Sequence, residues 1–413
     1  LFENVPVAFL FPFCSIFIYR CFLNPLRLAF IGGCVIGSKH AELISNYQGT
    51  ELVGISDIDE TVNAVAQRYQ VGFYNKLEDL LISTKPHGVI IAVPNSQHQS
   101  VASVCAKYKA HMLIEKPIAD SIESAEYITE IARSENVHVL IGHHRRHSSL
   151  VKRAKYLIND DSFGRLIGVS MLWALYKPNE YFSVDWKKEK PGGGPLLINL
   201  IHELDLLRHL CGEIVEVYAK ASSETRKFEV EDSIVISVEF ASGALGNIFA
   251  SDASPSPWSY ESTTHENKYY YPVDENCYYF LGSKQSLSFP KMELWNYENT
   301  ESTGWQYPIK KLPNFPDEVD PLIEQLKHFC DVIKGDALPY VSSRDAKKSL
   351  AVVLAMIEAA AIERHLESPF INELEGRGLS LRITASTRRK LGVMESLSTA
   401  SFIALIVALM IPC

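Results

Sequence analysis

The sequence predicts an α/β half, built on a doubly wound parallel sheet, followed by an α+β half built on an antiparallel sheet. Three observations predict it. Between residues 27 and 141, short apolar runs alternate with segments of helical periodicity, the pattern of strand–helix–strand crossovers. A glycine-rich turn follows the first run. After about residue 147, strand-type segments succeed one another without helices between them.

The elements follow in order. Residues 27–31 (RLAFI) read as a buried strand, and 40–47 as the helix after the turn. Residues 51–56 (ELVGIS) form a second strand. Val62, Val65, Ala66 and Tyr69 recur at i, i+3, i+4 and i+7, the stripe of a helix. Then come a strand at 88–93, a helix at 96–108 and a strand at 111–114. Asp120, with Glu123 three residues on, predicts a capping box for a helix through Ser134. A strand at 137–141 closes this half.

Beyond it, Gly192-Gly193-Gly194-Pro195 opens one long helix over 196–210. Strands are expected at 214–221, 233–240, 244–250 and 277–281, with a hairpin signal at Ser242-Gly243. The stretch 251–276, rich in Ser, Pro, Asn and Tyr, reads as a long surface loop. Residues 321–334 and 343–365 return to helix. The expected domains are therefore 26–146 and 147–373, flanked by an apolar extension at 1–25 and a C-terminal extension at 374–413.

Composition bounds the function. The chain has 413 residues, 47% of them apolar and 22% charged, which excludes a disordered, collagenous or disulfide-dense protein. A net charge of −9 gives no general attraction to nucleic-acid backbones. The eight cysteines are scattered without a CxxC, and read as reduced thiols in a reducing compartment. The apolar runs 5–18 and 400–412 fall short of a membrane span, so a cytoplasmic protein without a membrane partner is expected.

Four motifs carry chemistry. Gly32-Gly33-Cys34-Val35-Ile36-Gly37 takes the place of G-x-G-x-x-G, with Cys34 at the middle glycine position. Such a turn lets a pyrophosphate approach bare backbone at a helix N-terminus. Asp57 ends the second strand, 20 positions after Gly37, where a carboxylate accepts from the ribose hydroxyls and repels the extra phosphate of NADP. The expected cofactor is thus NAD rather than NADP. Second, Val93-Pro94-Asn95 with His98 follows a strand and faces the crevice, with Asn95 on the nicotinamide-ribose or diphosphate side.

Third, Glu115-Lys116-Pro117 follows the strand at 111–114. A desolvated lysine there can polarise a substrate hydroxyl or carbonyl. Fourth, Asn199, His202 and Asp205 are spaced i, i+3, i+6 along the helix after the glycine triplet, opposite a leucine-rich face. Histidine suits removal of a hydroxyl proton near neutral pH. The run Gly142–His147 (GHHRRH) holds His144-x-x-His147, but no thiolate or carboxylate with metal-site spacing accompanies it. No metal is expected, and these residues are placed at the domain junction, lining the cleft.

In this order and spacing the motifs resemble the Gfo/Idh/MocA oxidoreductase family over about residues 26–370. The pieces are IGG-x-x-IG-x-x-H (31–40), AVPNSQH (92–98), EKP (115–117), GHHRR (142–146) and GGGPLLINLIHELD (192–205). The resemblance implies an N-terminal Rossmann domain and a C-terminal domain on a large, open, mostly antiparallel sheet. It also implies homodimers or homotetramers formed through that sheet. The reaction it implies is hydride transfer between a sugar-, cyclitol- or polyol-like secondary alcohol and a nicotinamide. Lys116 and His202 take the family's catalytic positions, Glu115 holds Lys116, and Lys116, Asn199 and His202 touch substrate. Two departures are Cys34 and Ile198, where many members carry glycine and aspartate. They suit the alternative of a non-catalytic dinucleotide-binding regulator of the same fold. Retention of Lys116 and His202 favours the enzyme.

Overall fold

The structure is a computed structural model that describes residues 25–33, 35–190, 193–298, 301–313 and 319–361. The apolar runs at 5–18 and 400–412, and Cys34 in the glycine turn, lie outside the described residues.

The first half alternates as its periodicity requires. Its elements are β1 (Leu26–Ile31), α1 (Val35–Asn46), β2 (Thr50–Ser56), α2 (Asn63–Arg68), β3 (Gly72–Tyr74) and α3 (Leu77–Thr84). Next come β4 (Gly88–Ile91), α4 (His98–Lys107), β5 (His111–Ile114), α5 (Ile122–Glu135) and β6 (Val139–Ile141). The six strands pair in parallel in the order β3-β2-β1-β4-β5-β6. This order reverses between β1 and β4, and at such a switch point open α/β sheets bind ligands outside the strands' C-terminal ends. The strands are covered on both faces and are apolar along their length, as Val89, Ile90 and Ile91 show at 0% exposure. The cap of α5 is Ser121, whose side chain accepts from the Ser124 N–H, and not Asp120; the expected capping box is off by one residue.

The second half begins with α6 (Ser149–Ile158), β7 (Leu166–Ala174), α7 (Pro195–Ile198) and α8 (Leu200–Cys211). It continues through β8 (Ile214–Ser222), β9 (Ser233–Phe240), β10 (Leu245–Ser251), α9 (Tyr260–Thr263), β11 (Tyr278–Gly282), β12 (Ser286–Phe289), β13 (Glu293–Tyr297) and β14 (Ile309–Pro313). Two helices, α10 (Pro321–Lys334) and α11 (Ser343–Ala361), end the described chain. The eight strands lie in the order β14-β13-β12-β11-β7-β10-β9-β8. Only β7 and β10 pair in parallel; the other pairs are antiparallel. Gly243, at φ +79°, turns the β9–β10 hairpin as the Ser-Gly pair predicts.

Two corrections to the sequence reading concern this half. The single helix expected over 196–210 is broken at Asn199 into α7 and α8. The stretch 251–276 is not simply a surface loop. It contains α9, and its Asp252, Ser259, Tyr260 and Thr263 are buried.

The apolar core is in two parts. One is wrapped around the parallel sheet, the other lies between the second sheet and its helices. Leu326, Phe329 and Cys330 of α10 and Leu350 of α11 pack into the first core. Cys105, Cys211, Cys277 and Cys330 are free and buried, as the scattered cysteines imply. No helix among the described residues is long and apolar enough to cross a membrane.

Candidate active site

The candidate site is built from residues that follow four strands of the parallel sheet. After β1, Gly32 adopts φ +98°, and a Cβ there would lie 2.6 Å from the Ala92 carbonyl carbon, so only glycine fits. Gly33 packs against Val62, and Gly37 against the Gly32 carbonyl. Val35 and Ile36 begin α1. Asp57 reaches this turn from the end of β2, accepting from the Gly33 N–H at 2.5 Å and the Asp59 N–H at 2.8 Å.

After β4, Val93 and Pro94 lead into a 3-10 turn over Asn95–Gln97, with Asn95 half-buried. His98 is buried. Its ring nitrogens lie 2.9 Å from the Val93 carbonyl and 3.1 Å from that of Ile118. Its structural part is to pin the Pro94–Asn95 loop to the chain after β5.

After β5 stand Glu115 and Lys116. The Glu115 carboxylate lies 2.8 Å from His40 Nε2 and accepts from the Lys116 N–H at 3.3 Å. Burial alone would raise its pKa; the bond and charge of His40 and the charge of Lys116 bring it down to about 2. The Lys116 ammonium donates to the Ile198 carbonyl at 3.3 Å. The break at Asn199 suits this contact, because the His202 N–H turns to the Asn199 carbonyl. Burial and the cations Arg145 and Lys177 lower the Lys116 pKa, against the pull of Glu115 and Glu261.

His202 is on the first turn of α8. Its Nδ1 is buried and makes no hydrogen bond among the described residues. The rings of His144 and His143 meet it edge-on, with centroids 5.3 and 6.2 Å away. Burial, then the charges of Lys116 and Arg145, drive its pKa well below the usual imidazole value, so the ring is neutral at pH 7. The structure thus brings Lys116, Ile198, Asn199 and His202 together. It does not add Asp205 to this face. Asp205 is 1% exposed and bound by Arg146 at 2.6 and 2.8 Å and by the Ser349 hydroxyl at 2.7 Å. The shared polar stripe of Asn199, His202 and Asp205 is corrected: α8 is packed on all sides, and Asp205 is an anchor.

Arginines of the 3-10 turn His144–His147 bond to residues of α8 and α11. Arg145 bonds Glu203 and Glu261, each at 2.6 Å, and lies 4.0 Å from the centre of the Tyr260 ring. Burial and the nearby Glu261 outweigh Arg145 at Glu203, raising that carboxyl to about 7. Among the described residues no cluster of His, Cys, Asp and Glu could hold a metal ion.

Four side chains at the site escaped the sequence reading. Lys177 lies beyond β7 and donates to Asn199 Oδ1 at 2.8 Å. Asp252 and Arg226 hold it from the second sheet. Glu231 accepts from the Leu196 N–H at 2.8 Å and packs on Gly194, whose φ is +87°. Only the glycine triplet hinted at the last.

Family models match both halves. Residues 26–143 match the NAD-binding Rossmann fold of an oxidoreductase family, and residues 155–367 match that family's C-terminal alpha/beta domain. The chain belongs to the Gfo/Idh/MocA oxidoreductase family. It is similar to myo-inositol 2-dehydrogenase of Thermotoga maritima, 25% identical over 79% of this chain and 93% of that protein. It is also similar to 2,7-anhydro-N-acetylneuraminate hydratase of Escherichia coli, 27% identical over 53% of this chain and 59% of that protein. Among solved structures, the WlbA dehydrogenase of Bordetella pertussis, in complex with NADH and UDP-GlcNAcA, has the same fold. It superposes with a TM-score of 0.66 at 22% identity, over 82% of this chain and 97% of that one.

This Gfo/Idh/MocA chain is therefore an NAD(P)-dependent oxidoreductase. Its residues fit the dinucleotide: bare backbone at Gly32 and Gly33 beside a helix N-terminus, and a carboxylate at the end of β2.

Proposed function

We propose that the chain is an NAD-dependent dehydrogenase acting on a secondary alcohol of a sugar-, cyclitol- or polyol-like substrate. The observation that carries this reading is the partly buried Lys116 ammonium, hydrogen-bonded to Ile198 one turn before His202, at the strand ends of the nucleotide-binding sheet. The relatives' names support the substrate class, since they include an inositol dehydrogenase, a levoglucosan dehydrogenase and a glucose-6-phosphate 3-dehydrogenase.

Gly32, Gly33, Val35 and Ile36 would hold the pyrophosphate, with Cys34 in the same turn. Asp57 would hold the adenosine ribose, and its charge opposes a ribose phosphate. Val93, Pro94 and Asn95 would line the nicotinamide side, with His98 and Glu115 holding that wall in place. A nicotinamide bound there would supply the hydride acceptor for the substrate carbon. His202, neutral and weakly basic, takes the hydroxyl proton. Lys116 stabilises the developing alkoxide and passes protons. Asn199 orients the substrate.

The test is NADH formation at 340 nm across a panel of polyols and sugars. Turnover that depends on Lys116 and His202 is expected. Tight NADH binding with no turnover on any member would overturn it.

We also propose assembly into a homodimer or homotetramer through the second sheet. Its outer face carries Phe249 in register with Val235 and Leu172, and Phe249, Val235, Leu245 and Ile167 are all exposed. Light scattering that gives a monomer would sink this.

A further inference from the structure

Beside the partly buried Lys116, the described residues hold a second ammonium, and this one is buried. Lys177 is 7% exposed. Its Nζ donates to Asn199 Oδ1 at 2.8 Å and lies 3.2 Å from Asp252 Oδ2. The rings of Tyr181 and Trp173 flank it, with centroids at 4.8 and 5.7 Å. An ammonium has three donors, and among the described residues two acceptors meet it.

The Asp252 carboxylate that faces Lys177 accepts from Arg226 Nε at 2.8 Å as well. Arg226 Nη2 donates to the main-chain carbonyls of Lys177 and Asp252. One carboxylate therefore serves two cations. The charge of Glu261 also reaches Lys177; Glu261 shares Arg145 with Glu203 and accepts from Trp173 Nε1. The charges of Lys177, Arg226 and Arg145 are thus matched by Asp252, Glu261 and Glu203, and what stays open is the third Lys177 donor, costly to leave unmet in a buried place.

The position gives this donor a use. Asn199, which holds Lys177, directly follows Ile198, which holds Lys116. Two ammoniums, one from each half, thus meet on consecutive residues of the α7–α8 break. We infer that Lys177 binds substrate, and that the substrate carries a carboxylate, set apart from the reacting carbinol, which takes the remaining Lys177 donor. A carboxylate meets that donor with a charge-assisted hydrogen bond, stronger than a neutral oxygen makes; a phosphate dianion would bring a second negative charge into the same buried place. The inference deepens the dehydrogenase reading above and rests on it for the location of the carbinol.

The test is calorimetry with the NADH-saturated full chain. The probes are D-glucuronate, D-galacturonate and D-mannuronate, each against its parent hexose, with D-glucose 6-phosphate added. A charge-assisted hydrogen bond predicts that at least one acid binds about 10–100-fold more tightly than its parent. Lys177→Met should remove that margin and Lys177→Arg should keep part of it. Asn199→Asp, which supplies a counter-charge while keeping the lysine, should cut the margin about tenfold even where Lys177→Met fails to fold. Equal binding of acids and parents, no binding of any acid, tighter binding of the phosphate ester, or a margin untouched by these variants would overturn the inference. Acids that bind with this dependence but yield no NADH on the oxidised cofactor would leave it standing and remove the dehydrogenase reading. Neutral polyols oxidised with no preference for acids would do the reverse.

Discussion

The Lys116 ammonium donates to the main-chain oxygen of Ile198 across 3.3 Å, so the strand end of one half is hydrogen-bonded to the helix break of the other. His202 is four residues further on, and the same lysine depresses its basicity. The acid–base pair of the proposed reaction is therefore electrically coupled.

Removing the lysine tests that pair. Lys116→Ala should lower kcat by roughly 10²–10⁴-fold, the ordinary contribution of a positioned acid–base group. NADH affinity, followed by calorimetry, should stay nearly unchanged. Full activity in this variant would refute the mechanism.

The pH profile follows from His202. Burial and the positive charges of Lys116 and Arg145 lower its pKa below 6.5, and the neutral ring is the form that accepts a proton. The acid limb of kcat/KM should therefore lie below pH 6.5, with activity present above it and lost as pH falls. A limb at or above that value contradicts the assignment.

Stability should also fall with acid, for a separate reason. Burial lowers His143 to about 4, and burial with His328 and Lys152 lowers His147 to about 3, from 6.5. Both rings take up protons in the unfolded chain before they do so in the folded one. Their contribution is complete above pH 6.5 and is lost progressively as pH falls toward 3. Urea midpoints measured from pH 7 down to pH 5 should already decline, and His147→Asn should flatten that slope.

Arg146 is a structural anchor. It is 5% exposed and holds Asp205, itself 1% exposed, in a two-pronged pair. Arg146→Met leaves Asp205 with His143 at 3.4 Å and the Ser349 hydroxyl. The expected loss is about 3–5 kcal/mol in denaturant unfolding. A loss under about 1 kcal/mol, typical of an exposed pair, would show that Asp205 does not need it.

Cofactor choice rests on Asp57, placed against the Gly33 N–H. Asp57→Asn removes the charge that opposes a ribose phosphate and should raise the NADP-to-NAD ratio of kcat/KM about tenfold or more, the value of one lost repulsion of ~1.4 kcal/mol. A native preference for NADPH would overturn the role given to Asp57.

Much of this was legible because it is periodic or local. The parallel strands are unbroken apolar runs, and Gly32, Asp57, Lys116 and His202 each stand next to an element that announces itself. What escaped depends on contacts distant in sequence. Lys177 sits in a Pro- and Tyr-rich connection with no period. Asp252 and Glu261 lie in a segment whose composition resembles a surface loop but which packs against Arg145 and Arg226. The break at Asn199 has no proline or glycine to mark it. Asp205 has the spacing of a substrate-facing residue, and only the position of Arg146, 59 residues earlier, turns it inward.

The return of Phe329 and Leu350 to the first core has a consequence for how the molecule is made. On a ribosome the nucleotide-binding sheet emerges early, yet its final apolar cover arrives only after the whole second sheet has been translated. A chain halted before Pro321 would leave that surface bare and should depend on chaperones until synthesis is finished.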